Sequence, residues 1–153
     1  MTEEEKEIKR MHMQLLEGDC YIDAEQDLEY PPLALSFGEQ TIQTKKGLKT
    51  YEVPIGTYGN FSFVQAPPKS KKTFFISLLS AVFLKGTLEG FGGDLKGHRE
   101  GKCLIHFDTE QGKFHAQKVF KRVLDMTGLT KECYHTFGLR TLSYKERIDF
   151  IEY

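Results

Sequence analysis

Cysteine is scarce in this chain. Cys20, Cys103 and Cys133 are far apart, form no C-x-x-C pair and are odd in number, which argues against a disulfide framework. They are expected to be packing residues in a reducing cytoplasm. Long apolar runs are missing too. The longest, near Phe74 to Leu84, is interrupted by Ser77 and Ser80 and falls short of the roughly 18 residues a membrane span needs, so no membrane partner is expected. The acidic start, MTEEEKEIKR, fits neither a signal peptide nor a transit peptide. No G-x-S-x-G, H-E-x-x-H or catalytic Cys/His signature occurs, and His98, His106, His115 and His135 lack partners at zinc spacing. Repeats and low-complexity tracts are absent. An excess of one charge is absent as well: the net charge of −1 excludes a uniformly basic nucleic-acid binder.

What is present is a chain of 153 residues, one domain's worth, with twelve Phe and seven Tyr to fill a core. Its charge is unevenly placed. Residues 1–30 carry ten acids and three bases, net −7, and residues 31–153 carry twelve acids and eighteen bases, net +6. An acidic leader, helical and then irregular, thus precedes a basic body, an asymmetry that allows contact with phosphate. Met11, Leu15 and Leu16 form the leader's apolar stripe, and Pro31-Pro32 ends it.

In the body, short strands are expected at Leu33–Ser36, Thr41–Thr44 and Tyr51–Ile55, with a turn at Lys45-Lys46-Gly47. Asn60–Val64 reads as a strand and Gln65–Ser70 as a polar loop. Thr73 to Lys85 has helical spacing of Phe74, Phe75, Leu78, Leu79, Val82 and Phe83. Gly86–Gly101, with six glycines in sixteen residues, reads as a flexible connector. Lys102–Phe107 is a buried-type strand, Gly112–Met126 a helix with Gly128 as its C-terminal cap, and Cys133–Phe137 a strand. Ser143-Tyr-Lys-Glu146 is a capping box that opens a last helix. From residue 60 the elements alternate strand and helix, which predicts an α/β fold with a parallel sheet. Phe61, Phe63, Phe74 and Phe75 are expected in its core, and His106 in the core or at the sheet edge.

The segment that bears on chemistry is Ala66-Pro67-Pro68-Lys69-Ser70-Lys71-Lys72-Thr73. It lies between a strand and a helix, where a P-loop has G-x-x-x-x-G-K-S/T. Lys72 and Thr73 match; Ala66 and Lys71 stand where the glycines would be. Such a loop holds phosphates on backbone N–H groups and a helix N-terminus. Lys72 would reach the terminal phosphates of ATP, and the Thr73 hydroxyl would ligate Mg²⁺. Lys69 and Lys71 add positive charge. The second segment, Cys103-Leu-Ile-His-Phe-Asp-Thr-Glu-Gln111, puts Asp108 and Glu110 at a strand's C-terminal end, where α/β proteins bind ligands. A carboxylate there orients water or holds Mg²⁺; alternatively, Asp108 bonds local backbone.

Three stretches together, GTYGNFSFVQAPPKSKKTFFISLL, KCLIHFDTEQGKFHAQKVFKRVLDMTGL and YHTFGLRTLSYKERIDFIE, resemble the RecA-like P-loop (AAA-family) ATPases of bacterial mobile elements and plasmids, in particular the RepA-helicase-like form of Bacteroidetes. The resemblance covers about residues 30–153. It implies a RecA-like core with a mainly parallel sheet, preceded by short antiparallel strands, and incomplete on its C-terminal side, before the Walker B strand. It implies a nucleic-acid-dependent, helicase-like ATPase in plasmid or mobile-element DNA replication, with ATP/ADP and DNA as partners and a hexamer as the complete assembly. By resemblance Glu110 polarises the attacking water, Lys72 and Thr73 take the phosphate and Mg²⁺ roles, and in an alternative assignment Asp108 holds Mg²⁺ through water. A lysine often replaces the second P-loop glycine in that family, as Lys71 does here.

Two rival readings remain open. One is an interaction or DNA-docking module with a decayed P-loop; the other is a small-molecule phosphotransferase on the same loop. Lys113, Lys118, Lys121 and Arg122 lie on the second helix, and Lys118, Lys121 and Arg122 share one face of it. A solvated face is the ordinary reading of that stripe, and a DNA-backbone role the functional one.

Overall fold

In a computed structural model the described residues are 2–25, 30–45, 47–90 and 93–153. They form two compact units, residues 1–30 and 31–153. The first unit is built on helix α1, Glu3–Cys20. Thr2 and Glu5 cap it reciprocally: the Thr2 hydroxyl accepts from the Glu5 N–H at 3.2 Å, and the Thr2 N–H donates to Glu5 Oε2 at 2.7 Å. Three glutamates in its first turn suit the positive end of the helix dipole. Its apolar residues Ile8, Met11 and Leu15 are exposed.

The second unit opens with a long hairpin, β1 (Leu33–Thr44) and β2 (Gly47–Thr57). The two short strands expected at 33–36 and 41–44 are one strand. Gly38, at φ 67°, absorbs an irregularity in register between them and donates its N–H to the Asp94 carbonyl at 2.8 Å. Pro54 is tolerated because β2 is an edge strand. Strand β3 (Leu95–Gly97) pairs antiparallel with the other edge of β1, giving the order β2-β1-β3. The glycine-rich stretch expected as a connector therefore contributes a strand and two buried leucines, Leu88 and Leu95; Phe91 and Gly92 within it lie outside the described residues. Gly97 is demanded by packing, since a Cβ there would collide with the Val82 carbonyl of the adjoining helix.

A polar cluster ties the three strands. The Glu52 carboxylate accepts from the fully buried Ser36 hydroxyl at 2.9 Å and from Lys96 Nζ at 2.7 Å, and lies 2.8 Å from His98 Nε2. The Lys96 and Ser36 hydrogen bonds hold its pKa below the usual carboxylate value.

Helix α2 (Lys72–Lys85) packs on α3 (Lys113–Thr127) and on β3. Strands β4 (Leu104–Asp108) and β5 (Tyr134–Gly138), joined through α3, pair in parallel from Leu104↔Tyr134 to Asp108↔Gly138. The parallel order read from the alternation is present in this β4–α3–β5 unit. Asn60–Val64, expected as a strand, joins no ladder among the described residues. Its alternation of apolar and polar residues suits a strand, but alternation does not supply a pairing partner. Phe61 and Phe63 are accordingly 87% and 90% exposed, and Phe74 and Phe75 about half exposed, so the four phenylalanines assigned to the core are not in it. The core consists of Ala81, Val82, Leu84, Leu88, Leu95, Val123 and Tyr134. Cys20 and Cys103 are exposed rather than packed. Helix α4 (Tyr144–Glu152) ends the unit, opened by the Ser143/Glu146 capping box.

No helix among the described residues is long and apolar enough to cross a membrane.

Candidate functional site

The loop before α2 has an unusual backbone. Pro67 and Pro68 restrict its first half, and the Ser70 N–H closes a turn onto the Pro67 carbonyl at 3.3 Å. Lys69 (φ 66°) and Lys71 (φ 64°, ψ 23°) are both left-handed. For a residue with a Cβ that conformation costs about 1–2 kcal/mol, and it is spent here twice within three residues. Left-handed residues on alternate positions turn successive N–H groups toward one side, the concavity that holds anions in phosphate loops.

The glycine question of the motif divides accordingly. Lys71, at the second glycine position, has a positive φ with a side chain present. Ala66 occupies the other glycine position without a positive φ, so there the substitution causes no backbone strain.

Lys71 is the N-cap of α2 and offers no side-chain hydrogen bond. Its carbonyl accepts the N–H groups of Phe74 (2.9 Å) and Phe75 (3.1 Å). The N–H groups of Lys71, Lys72 and Thr73 have no protein acceptor among the described residues. The first turn contains no acid. Positive partial charge, open N–H donors and the exposed side chains of Lys69, Lys71, Lys72 and Thr73 therefore meet at one helix end.

Opposite stands the end of β4. Asp108 is 8% exposed, and its Oδ1 accepts the N–H groups of Glu110 (3.0 Å) and Gln111 (2.8 Å). The Asp108 carbonyl accepts the Leu139 N–H at 2.7 Å, tying the turn to the end of β5. One carboxylate oxygen of Asp108 is thus committed to local backbone, the bland alternative for this residue, and Oδ2 is left over. The same turn leaves Glu110 exposed.

Two clefts connect the segments. One, of about 510 Å³, is bordered by the whole of Ala66–Thr73 and by Glu110. The other, of about 330 Å³, has Lys72 and Thr73 on one side and Asp108, Thr109 and Glu110 on another. The fold thereby brings together Lys72, Thr73, Asp108 and Glu110, which lie more than thirty residues apart in sequence.

Ser62, Val64 and His106 also border the second cleft, and sequence reasoning assigned them no site role. The usable signal was the alternation in Asn60–Val64, which separates Ser62 and Val64 from Phe61 and Phe63. His106 accepts or donates one hydrogen bond, Nδ1 to the Tyr134 hydroxyl at 2.9 Å. Burial lowers its pKa, against a smaller opposing effect of Asp108.

No group of three or more His, Cys, Asp or Glu among the described residues is placed to hold a metal by itself. The donor set does suit Mg²⁺, which keeps several waters and takes one or two protein oxygens together with substrate phosphates. The Thr73 hydroxyl and Asp108 Oδ2 are among the side-chain oxygens that border the cleft.

Compared with protein-family models, with curated proteins and with solved structures, the chain matches none.

Proposed function

We propose that residues 31–153 bind a nucleoside triphosphate on Ala66–Thr73 and belong to a P-loop ATPase that works on nucleic acid. The observation that carries this reading is the paired left-handed conformation of Lys69 and Lys71 before an uncapped, acid-free helix N-terminus, with Glu110 across the cleft. Strain of this kind is sustained where the surrounding structure enforces it, and such sites are where function concentrates.

In this reading the open N–H groups of Lys71, Lys72 and Thr73 receive phosphate oxygens, and the Lys72 ammonium neutralises the terminal phosphate. The Thr73 hydroxyl and Asp108 would hold Mg²⁺, which neutralises charge on the transferring phosphate when bound. Glu110 orients the attacking water. Nucleic-acid dependence, a helicase-like role in DNA replication and a hexameric assembly follow from the resemblance rather than from the cleft.

The test is a titration with a fluorescent ATP analogue, with and without Mg²⁺, for the chain and for Lys72→Ala. Mg²⁺-dependent binding that disappears in Lys72→Ala is expected. Glu110→Gln should bind as the parent does and lose hydrolysis wherever the parent hydrolyses. Absence of binding by the folded parent chain sinks the reading and leaves a docking module with a decayed loop.

A further inference from the structure

Cys103 and Cys133 are far apart in sequence and neighbours in the fold. Cys103 immediately precedes β4, and Cys133 immediately precedes β5. The parallel ladder of these strands begins with Leu104 opposite Tyr134. The two cysteines therefore stand side by side, one step before the first pair. Neighbouring strands run about 4.8 Å apart, inside the window of about 4.4–6.8 Å between Cα atoms that a disulfide spans. The Cys103 side chain reaches across to its counterpart's chain. Its Sγ lies 4.0 Å from the Glu132 carbonyl oxygen, on the peptide group that leads into Cys133. Rotation about χ1 is the freedom each sulfur has to meet the other. Both are free thiols, and their exposure differs: Cys103 is exposed, and Cys133 is half-buried at the edge of the core. Cys20, the third cysteine, belongs to the other compact unit.

We propose that Cys103 and Cys133 form an oxidation site, a thiol pair that a hydroperoxide converts into one reversible disulfide. The exposed Cys103 sulfur attacks the O–O bond of hydrogen peroxide. An S–O bond forms, and the second oxygen leaves as water with the thiol proton. The Cys133 sulfur then displaces the hydroxyl from Cys103, which leaves as a second water, and the S–S bond forms. Two thiols give up two electrons, and one peroxide becomes two waters. Exchange with a dithiol reductant restores both thiols. An accessible sulfur beside a second one that resolves it is the arrangement of redox-sensing cysteines. The bond closes β4, the turn at Asp108–Glu110 and α3 into one covalent loop. It lies at the far end of β4 from Asp108, about 16 Å along an extended strand, so it is independent of nucleotide binding at Ala66–Thr73.

The experiment treats the folded, fully reduced chain with hydrogen peroxide and then counts thiols and maps peptides by mass without reduction. The chain has three cysteines, so the count should fall from three to one. A single linked peptide pair carrying Cys103 and Cys133 should appear, lighter by two hydrogens than its parts. A dithiol reductant should restore all three thiols. Cys20→Ser should leave the pair intact. Cys103→Ser, a change at an exposed position, should leave both remaining thiols without an intramolecular disulfide, and Cys133→Ser should do the same, with circular dichroism establishing that each variant is folded. The parent chain in denaturant supplies a measurement free of any variant: the pair should form more slowly there, and disulfides to Cys20 should appear beside it. Several results overturn the proposal. One is three thiols surviving peroxide in the folded chain. Another is sulfinic acid at Cys103 with Cys133 still reduced. A third is a Cys103–Cys133 disulfide that forms no faster in the folded chain than in the denatured one, since the fold would then not be what pairs them.

Discussion

Two helices of the same unit begin in opposite ways. At α4, Ser143 is extended (φ −64°, ψ 165°), and its hydroxyl faces the Glu146 N–H at 3.4 Å. The Glu146 carboxylate returns to the Ser143 N–H at 2.7 Å and hydroxyl at 2.6 Å. An acid thus sits on the positive end of the dipole, and the local geometry is relaxed. At α2 the cap is a left-handed lysine, a second lysine follows it, and no acid or side-chain acceptor is present. Cations there oppose the dipole by about 0.3–1 kcal/mol each, on top of the backbone strain.

The bodies of the two helices reverse the order. α2 buries Ser77, Ser80, Ala81, Val82 and Leu84, while α4 buries no residue. Core packing therefore holds α2 in spite of its start, and capping holds the start of α4, which has little packing to rely on. Local rules are broken in a natural protein chiefly where function needs it. The α2 terminus is thus uncapped and free of acid in its first turn, and the α4 terminus is reciprocally capped.

The largest effect expected from breaking this contrast is on ligand-linked stability. At a nucleotide concentration of about 100 times its dissociation constant, the chain should gain about 2.7 kcal/mol. Thermal unfolding with and without Mg·ATP reads this, and Lys72→Ala should abolish the gain while leaving the unliganded transition close to the parent's. The next effect belongs to α4. Ser143→Ala removes the reciprocal cap and should cost about 1 kcal/mol in denaturant unfolding, with no change in nucleotide binding. A loss of nucleotide binding in Ser143→Ala would show that the two termini are not independent.

The helix termini were also where sequence was most legible. Ser143-x-x-Glu146 specifies a cap through local contacts alone, and Gly128 is the left-handed C-terminal cap of α3, at φ 66°. Helices α2 and α3 lie within a residue of their expected ends because periodicity is likewise local. Pairing was not legible. β3 hides among glycines, and its place beside β1 depends on contacts sixty residues away. Asn60–Val64 has the alternation of a strand but makes no ladder. For the site, residue types and spacing named Lys72, Thr73, Asp108 and Glu110 as neighbours, and the clefts contain all four. Sequence could not assign the conformations of Lys69 and Lys71, because a lysine in the left-handed region contradicts its own propensity. Nor could it decide that Asp108 caps its own turn with one oxygen, a hydrogen-bond choice that only the folded turn makes.

Smaller effects sharpen the contrast. Lys71→Gly should relieve the left-handed strain, worth about 1–2 kcal/mol, and give back about 0.5–1 kcal/mol as glycine entropy. The expected net is a stabilisation of about 0.5 kcal/mol, visible as a raised denaturant midpoint with an unchanged slope. Ser143→Gly, the corresponding change at α4, should cost a few tenths of a kcal/mol instead. Opposite signs for one substitution at two N-caps would establish that the first terminus is strained and the second is not. If Lys71→Gly destabilises the chain, the lysine side chain holds the loop together and the strain argument fails.

The smallest effect is one of pH. Hydrogen bonds from Ser143 hold the Glu146 carboxyl below its ordinary value of 4.5. A carboxyl depressed in the folded state stabilises above its unfolded pKa, and that contribution is lost as pH falls through the folded value. The α4 cap should therefore weaken on acidification below about pH 4.5, whereas the first turn of α2 contains no acid. Amide hydrogen exchange separates the two helices. Between pH 6 and pH 3, after correction for intrinsic rates, protection in the first turn of α4 should fall relative to that of α2, and Glu146→Gln should flatten the difference. Equal loss of protection at both termini would mean that acid acts on the unit as a whole, through a shared group such as the Glu52 carboxylate, and not on the cap.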